Sequence, residues 1–336
     1  MELTPIKVRG KRRAQDELAV APPPKRPQKD PSVKKDAKAR RPKFSNLEKS
    51  MPLEVLEHIF WLSENVNFPR ASLRLGRLLS GAATLRGTFL SAFGPTWDKC
   101  FSLRGRQHIV VHIDHSVPRR DKDEFPGNPD FQTVILRHSW VTIDVILDCW
   151  DIWVRRNARE DLAFEYTPLW GHPTDPAPYA DSSVTIGATN IKEARFYFYQ
   201  DYYTFRNIED DTMKPITQSC YPHWVEVHIC TEIPDNLITG PWDEPSLQKF
   251  FWLVRGGARL ARHQTWETTH RGFYNAVTAN PTCPNLTALR LLHLLDAFND
   301  WPPYIKQDEL SKSLAKKENL PALRWQYYYI SEVLKF

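Results

Sequence analysis

Two segments of the sequence contain the residue types that bind metal ions. His112-Ile113-Asp114 has the H-x-D spacing that begins a two-histidine, one-carboxylate iron site, because residues two apart share one face of a strand. The third ligand would come from one of the distant histidines, His172, His223 or His228. An iron enzyme of this class needs a closed β-barrel, whereas most of this chain has helical patterns. An Fe(II)-dependent oxygenase is therefore the remotest of the functions considered.

Other catalytic and metal-binding signatures do not occur in the sequence. It lacks G-x-S-x-G, G-x-G-x-x-G and the phosphate-binding G-x-x-x-x-G-K-[ST], and Gly256-Gly257 follows a predicted helix instead of opening one. The five cysteines form no CxxC pair and are odd in number, which predicts reduced, mostly buried thiols: Cys100, Cys149, Cys220, Cys230 and Cys283. We expect a protein that is not an enzyme and that holds no metal or cofactor.

The charge of the chain is divided unevenly. Residues 1–49 hold fifteen Lys and Arg against six Asp and Glu, a net charge of +9, whereas the whole 336-residue chain carries +5. This first segment also has seven prolines and no hydrophobic period, so it buries too little surface to offset the entropy of ordering. We expect a disordered basic tail over residues 1–46. Folded units should follow it, since 41% of all residues are hydrophobic.

Basic clusters within this tail have the spacing of a bipartite nuclear localisation signal. Eleven residues separate the two clusters, which are Lys11, Arg12 and Arg13, then Lys25, Arg26 and Lys29. Basic tails also bind nucleic acid or anionic lipid through unspecific attraction, or serve as solvated linkers, and these alternatives stay open. No apolar run reaches the length of about 18 residues that a membrane-spanning helix needs. The expected location is the nucleus, the cytoplasm or both, with no membrane partner.

The first strongly patterned element is MPLEVLEHIFWL, residues 51–62. Proline suits the first turn of a helix, and Glu54 and Glu57 lie near the positive end of the helix dipole. Apolar residues recur at intervals of three and four, which predicts one apolar stripe: Leu53, Leu56, Ile59 and Phe60. The segment is therefore predicted to be an amphipathic helix. Leucines that are interrupted by the helix-breaking Gly76 and Gly81 predict two further short helices after it.

The order of residues in this helix resembles a known domain. Met51-Pro52-x-Glu54-Val55-Leu56-x-x-Ile59-Phe60 is similar to the opening of the F-box, usually Leu-Pro-x-Glu-Ile-Leu-x-x-Ile-Phe. Residues 63–98, TGPWD at 239–243 and FWLVRGGA at 251–258 resemble a fungal family of F-box-like proteins. The resemblance implies that residues 50–98 dock on the Skp-type subunit of a cullin ubiquitin ligase. By position, the residues that would face this adaptor are Pro52, Leu53, Leu56, Ile59 and Phe60.

The middle of the chain combines predicted helices with one strand and a long loop. QHIVVHIDH at 107–115 is rich in β-branched residues and predicts a short strand. Residues 131–140 and 142–156 predict two helices, the second with one apolar face formed by Ile143, Ile146, Leu147, Trp150 and Val154. A proline-rich loop is predicted at 167–190. The aromatic-rich segment 192–207 predicts a helix for packing or protein contact, with one face formed by Phe196, Tyr199 and Tyr203.

From Asp243 onward the pattern is that of paired helices. Residues 243–260 end in a Leu-Val-Arg-Gly-Gly-Ala sequence that resembles the second helix and turn of an ankyrin repeat, where glycine supplies a left-handed cap. Further helices are predicted at about 269–278, 286–298, 308–317 and 321–335. The TPLH-type ankyrin signature is absent, so any repeats are degenerate. At least one of Tyr327, Tyr328 and Tyr329 must face outward, since neighbouring helical positions are about 100° apart.

The sequence therefore predicts a mainly α fold with few strands. It has a short F-box-like helical module at 47–98, a mixed and mostly helical region at 99–240, and degenerate ankyrin-like paired helices at 241–336. The leading hypothesis is an F-box-type adaptor that recruits an unknown target protein through its C-terminal helical region. The alternative is an ankyrin-like interaction scaffold with no role in ubiquitin transfer. The Fe(II)-dependent oxygenase is the third and remotest hypothesis.

Overall fold

Helices make up most of the structure, a computed structural model that describes residues 50–101, 126–157, 164–166, 184–186, 192–207, 226–278 and 283–335. Its helices are α1 (Leu53–Ser63), α2 (Leu73–Leu78), α3 (Ala82–Phe101), α4 (Pro129–Leu136), α5 (Ile143–Asn157), α6 (Lys192–Arg206), α7 (Asp235–Thr239), α8 (Glu244–Arg255), α9 (Trp266–Thr278), α10 (Leu286–Leu294), α11 (Pro303–Asn319) and α12 (Arg324–Val333). Strands β1 (Phe164–Tyr166) and β2 (Val184–Ile186) pair antiparallel. The predicted mainly α class is confirmed. Within the described ranges, no helix has the length and apolar character needed to cross a membrane.

The basic tail and most candidate iron ligands lie outside the described residues. This holds for residues 1–46 with the nuclear localisation clusters, for the predicted strand 107–115 with His112 and Asp114, and for His172 and His223. The loop predicted at 167–190 is described only at β2. There a strand replaces part of the loop, because Val184 and Ile186 are paired with β1.

Polar side chains set the starts of several helices. Asn128 accepts hydrogen bonds from the backbone N–H groups of Asp130 and Phe131, at 3.0 and 3.1 Å, and so caps α4. Asp243 and Asn285 cap α8 and α10 in the same way, each accepting from an N–H in the first turn. The helices predicted at 142–156 and 192–207 are confirmed as α5 and α6.

Two predicted helices end earlier than expected. The helix predicted at 131–140 ends at Leu136, because the ammonium of Lys249 binds the carbonyl oxygens of Leu136 and Val141 at 2.9 and 2.7 Å and holds the chain in a turn. Burial lowers the pKa of this ammonium to about 8. The helix predicted at 286–298 ends at Leu294, since Asp296 takes a left-handed φ of 55° that a helix cannot continue.

The two short helices predicted after α1 are one short helix, α2, and one long helix, α3. α3 spans twenty residues, and its two halves pack on different surroundings. Gly87 and Thr88 in its first half contact α1, whereas Phe89, Phe93 and Trp97 enter the main core. Two helices follow α1 as predicted, but the second is long instead of short, and α3 links the N-terminal helices to the rest of the fold.

The main core is built around Trp97 of α3 and the helix α8. The Trp97 ring lies edge-on to Trp150 of α5, with centroids 4.7 Å apart, and its indole N–H donates to the backbone oxygen of Glu226 at 2.8 Å. α8 buries every residue from Phe250 to Arg255, as expected of a helix surrounded by others. The predicted inward face of α5 is confirmed, since all five of its residues are buried. Residues from each of the predicted regions 47–98, 99–240 and 241–336 contribute to this one core.

The buried face of α6 is formed by aromatic residues other than those of the predicted aromatic face. Phe198, Tyr202 and Phe205 are buried and pack on Phe251 of α8, with ring centroids 5.9, 5.4 and 5.1 Å from it. Tyr203 of the predicted face is exposed. The helix is rotated in this way because Asp201 lies inside, where Arg255 neutralises it. Of the predicted aromatic face, Tyr199 packs partly against the core and Tyr203 faces solvent, so the buried side of the helix is formed by a different set of aromatic residues.

The C-terminal helices pack closely on one another. α9 crosses α7 at Gly272, and α11 and α12 form a helical hairpin. The predicted left-handed glycine after α8 is confirmed at Gly257, which has a φ of 88°. In α12, Tyr327 and Tyr329 are buried, whereas Tyr328 is half-buried, so the expectation that at least one of the three tyrosines faces outward is also confirmed.

A half-buried histidine in α10 makes the stability of the fold sensitive to acid. Burial lowers the pKa of the His293 imidazole from 6.5 to about 4. Between these two values the unfolded chain binds a proton here that the folded chain does not, so stability is lost as the pH falls through this window. We expect His293→Leu to flatten the fall in thermal midpoint between pH 6.5 and pH 4, followed by circular dichroism. Identical pH profiles for the two proteins would contradict this assignment.

Candidate protein-binding surface

α1 packs its inner face on a small core of its own. Leu56 is completely buried and Phe60 nearly so, and both form one hydrophobic cluster with Leu75 in α2 and Leu79 just after it. The Phe60 ring stacks on Phe68 at 6.3 Å between centroids. These side chains hold α1 and α2 together, so the N-terminal module has a hydrophobic cluster distinct from the main core.

α1 packs on α3 through a close contact at a glycine. A Cβ on Gly87 would lie 2.3 Å from the ring of Trp61, so only glycine lets the two helices approach this closely. The indole N–H of Trp61 donates to Thr88 Oγ1 at 3.1 Å, and the hydroxyl of Thr84 donates to the carboxylate of Glu57. Because α3 continues into the main core, this contact fixes α1 relative to the body of the protein.

The outer face of α1 carries apolar side chains that the described residues leave uncovered. Val55, Ile59 and Leu62 follow one another at intervals of four and three, so they form one stripe, named here the outer stripe. Val55 is 41% exposed and Leu62 84% exposed, the largest value among the large apolar side chains of the described residues, while Ile59 is half-buried. The exposed Glu54 and His58 flank it. An apolar centre with a polar rim is the usual anatomy of a protein interface.

The residues predicted to face an adaptor fall into two groups. Pro52 and Leu53 are exposed, and Ile59 belongs to the outer stripe. Leu56 and Phe60 lie in the module's own core and are not available for contact with another protein. Val55 and Leu62 were missed, although their spacing with Ile59 on a helix that was already predicted would have identified them.

The described histidine among the candidate iron ligands belongs to a buried hydrogen-bond network. The backbone N–H of His228 donates to Gln132 Oε1 at 2.9 Å, and its imidazole Nδ1 accepts from the backbone N–H of Cys230 at 3.0 Å. The hydroxyl of Thr231 donates to the same Gln132 oxygen at 2.7 Å. Among the residues that the structure describes, no group of His, Cys, Asp and Glu is arranged to hold a metal ion. His228 therefore joins α4 to the segment before α7.

Three cysteines are free thiols in different environments. Cys149 and Cys230 are buried, as predicted, whereas Cys283 is exposed. Burial raises the pKa of the Cys149 thiol to about 12, which keeps it protonated and unreactive. Cys149 thus acts as a small apolar residue in the packing of α5 on α3.

A buried ionic cluster lies between α6 and α8. Arg255 donates from Nη1 to Asp201 at 2.9 Å and from Nη2 to Glu226 at 2.7 Å, and all three side chains are almost fully buried. The guanidinium also lies over the rings of Phe198 and Phe251, at 5.2 and 5.8 Å from the centroids. Burial raises the pKa of the Glu226 carboxyl, against the opposing effect of Arg255. Its position inside the core makes this cluster part of the scaffold.

The outer stripe, on a helix that packs closely on α3, is the most distinctive surface of the N-terminal module. Comparisons of the chain with protein-family models, with curated proteins and with solved structures find no match. Function is therefore inferred from the order of residues in α1 and from the geometry of this surface.

Proposed function

We propose that this protein is an F-box-type adaptor. The outer stripe, together with the exposed Pro52 and Leu53, docks on the Skp-type subunit of a cullin ubiquitin ligase, and the C-terminal helical region holds a target protein. The observation that carries the proposal is the uncovered apolar stripe, which is formed by the same helix whose residue order resembles the F-box. Exposed apolar side chains that are gathered on one helix face are typical of a protein-binding site.

The close packing of α1 on α3 suits this role. An adaptor of this type makes and breaks no covalent bond; it raises the effective concentration of a target lysine near the ubiquitin carrier. The gain is largest when the two binding surfaces are held at a fixed separation. α3 supplies such a connection, since one continuous helix contacts α1 at Gly87 and reaches the main core at Trp97.

The outer stripe offers a test of adaptor binding that leaves the fold intact. We expect Val55→Glu with Leu62→Lys to weaken binding of a Skp-type subunit by at least about a hundredfold, since both charges would enter an apolar interface. Glu in the first turn and Lys in the last turn suit the helix dipole, so α1 should persist. The measurement is copurification of the adaptor with tagged full-length chain from cells in which the proteasome is blocked.

A matched pair of substitutions controls for nonspecific effects of surface charge. Tyr304→Glu with Tyr274→Lys places the same two charges at exposed aromatic positions, near the start of α11 and the end of α9. This variant should copurify the adaptor at the wild-type yield. The proposal would be contradicted if the Val55 and Leu62 variant copurified as much Skp-type subunit as the wild type, or if the wild-type chain copurified none.

The alternative function, an interaction scaffold with no ubiquitin ligase, has its own support in the C-terminal helices. The left-handed Gly257 after α8 and the α11–α12 hairpin are features that ankyrin-like arrays share. The two functions differ in one observable. A scaffold would retain its target while no Skp-type subunit accompanies the complex.

A further inference from the structure

A cleft opens where α11 ends and α12 begins. It has a volume of about 380 Å³ and is lined by Leu314, Lys317, Glu318, Pro321 and Arg324. This volume lies within the range of roughly 300–1,000 Å³ that is usual for ligand pockets. The cleft lies on the side of the C-terminal helical hairpin that faces solvent, since Leu314, Pro321 and Arg324 are all exposed.

The two cations of this cleft have no carboxylate partner among the described residues. Lys317 extends over the ring of Tyr328, with its Nζ 4.8 Å from the centroid, and Arg324 makes no described ion pair. Lys312, five residues earlier on the same helix, is in contrast neutralised by Asp308 and Glu309 at 2.6 and 2.9 Å. The cleft therefore presents positive charge that its own neighbours do not neutralise.

Two aromatic side chains lie next to these cations. The Tyr328 ring, which contacts Lys317, lies edge-on to Trp325 at 6.4 Å between centroids. Trp325 is 48% exposed, although a tryptophan of this size is normally covered when it serves only packing. Tryptophan and arginine are the side chains most enriched at binding hot spots, and Arg324 and Trp325 are adjacent here.

The lining combines two chemistries within one cleft. Lys317 and Arg324 outnumber the lone lining carboxylate, Glu318, and Leu314 and Pro321 supply apolar contact. An occupant that complements both would carry negative charge beside an apolar side chain. A short acidic peptide segment with a leucine or an aromatic residue has this composition.

We propose that this cleft binds such an acidic segment of the target protein, with its carboxylates on Lys317 and Arg324 and its apolar side chain against Leu314 and Pro321. The inference deepens the proposed adaptor function, on which it rests, by assigning the target surface and the chemistry that it recognises. It also gives the half-buried Tyr328 a role, since its ring holds Lys317 at the edge of the cleft.

The test is fluorescence anisotropy with the full-length chain. The probe is a short fluorescein-labelled peptide in which Asp and Glu flank a central Leu-Trp pair, at a salt concentration of about 0.15 M. The wild-type chain should bind it, and should not bind the same peptide with Lys in place of each acidic residue. Lys317→Glu with Arg324→Glu should weaken binding of the acidic probe by at least about tenfold.

The basic N-terminal tail also attracts acidic peptides, so the comparison needs a variant of equal charge. Arg262→Glu with Arg271→Glu changes the net charge by the same amount at exposed positions outside the cleft, and should bind the probe like the wild type. Absence of wild-type binding, or equal loss in both double variants, would overturn the proposal. Binding of a Skp-type subunit is measured separately, so failure of the cleft proposal is distinguishable from failure of the adaptor proposal.

Discussion

We expect Arg255→Met to lower the free energy of unfolding by about 3–5 kcal/mol, a large part of the roughly 5–15 kcal/mol that keeps a typical domain folded. Arg255 of α8 forms ion pairs with both Asp201 and Glu226, at 2.9 and 2.7 Å, and the three side chains are almost fully removed from water. Removal of the guanidinium leaves two carboxylates close together in the core. Neither can recover its lost hydration without opening the packing of α6 on α8.

An exposed ion pair between the same two helices provides the control. Arg206 of α6 contacts Glu244 of α8 at 2.8 Å, but both side chains are more than two-fifths exposed. Arg206→Met should therefore cost less than about 1 kcal/mol. Urea unfolding of the two variants compares them directly. Equal losses of stability would show that the buried cluster contributes no more than a surface pair.

Gly272→Ala should destabilise the protein by about 2 kcal/mol or more, although alanine at a helix interior normally stabilises by roughly 0.5–1 kcal/mol. Gly272 lies within α9, where a Cβ would meet the carbonyl oxygen of Ile238 at 2.2 Å. The obstacle is backbone, so no side-chain rotation relieves it. α7 and α9 would have to separate, which strains the hydrogen bond from Asn275 Nδ2 to the backbone oxygen of Thr239 at 2.7 Å.

Gly81→Ala is the matched substitution at a position with free space. The added methyl group there meets only Thr84 Oγ1, at the ordinary contact distance of 3.5 Å. We expect its thermal midpoint to stay within a few degrees of the wild type, whereas that of Gly272→Ala falls by clearly more. Similar midpoints for the two variants would mean that α7 and α9 do not cross at Gly272.

Helix positions were largely predictable from the sequence, whereas the inward face of one helix was not. The apolar residues of α5 recur at a spacing that defines only one helical face, and this face is buried in the structure. In α6 two aromatic sets at helical spacing compete, and the set with Phe198, Tyr202 and Phe205 is the buried one. The choice depends on Arg255, which lies far along the chain and draws Asp201 inside. Such a long-range ion pair has no signal in the local pattern.

The candidate interface was only partly predictable, because its exposed residues also depend on contacts with distant parts of the chain. The residue order of α1 identifies the helix, but not which of its apolar residues meet the rest of the protein. That division is made by Leu75 and Leu79, which cover Leu56 and Phe60, and by Gly87, which admits Trp61. The same contacts leave Leu62 in solvent. The nuclear localisation clusters and the candidate iron ligand His112 stay predictions, since they lie outside the described residues.

Site-specific photo-cross-linking tests the adaptor proposal most directly. A photoreactive amino acid at position 62 would replace the exposed Leu62 of the outer stripe, and one at position 304 would replace Tyr304 on α11, which is also exposed. The proposal predicts that irradiation joins a Skp-type subunit to the chain from position 62 and not from position 304. A Skp-type subunit that cross-links equally from both positions, or from neither, would contradict it.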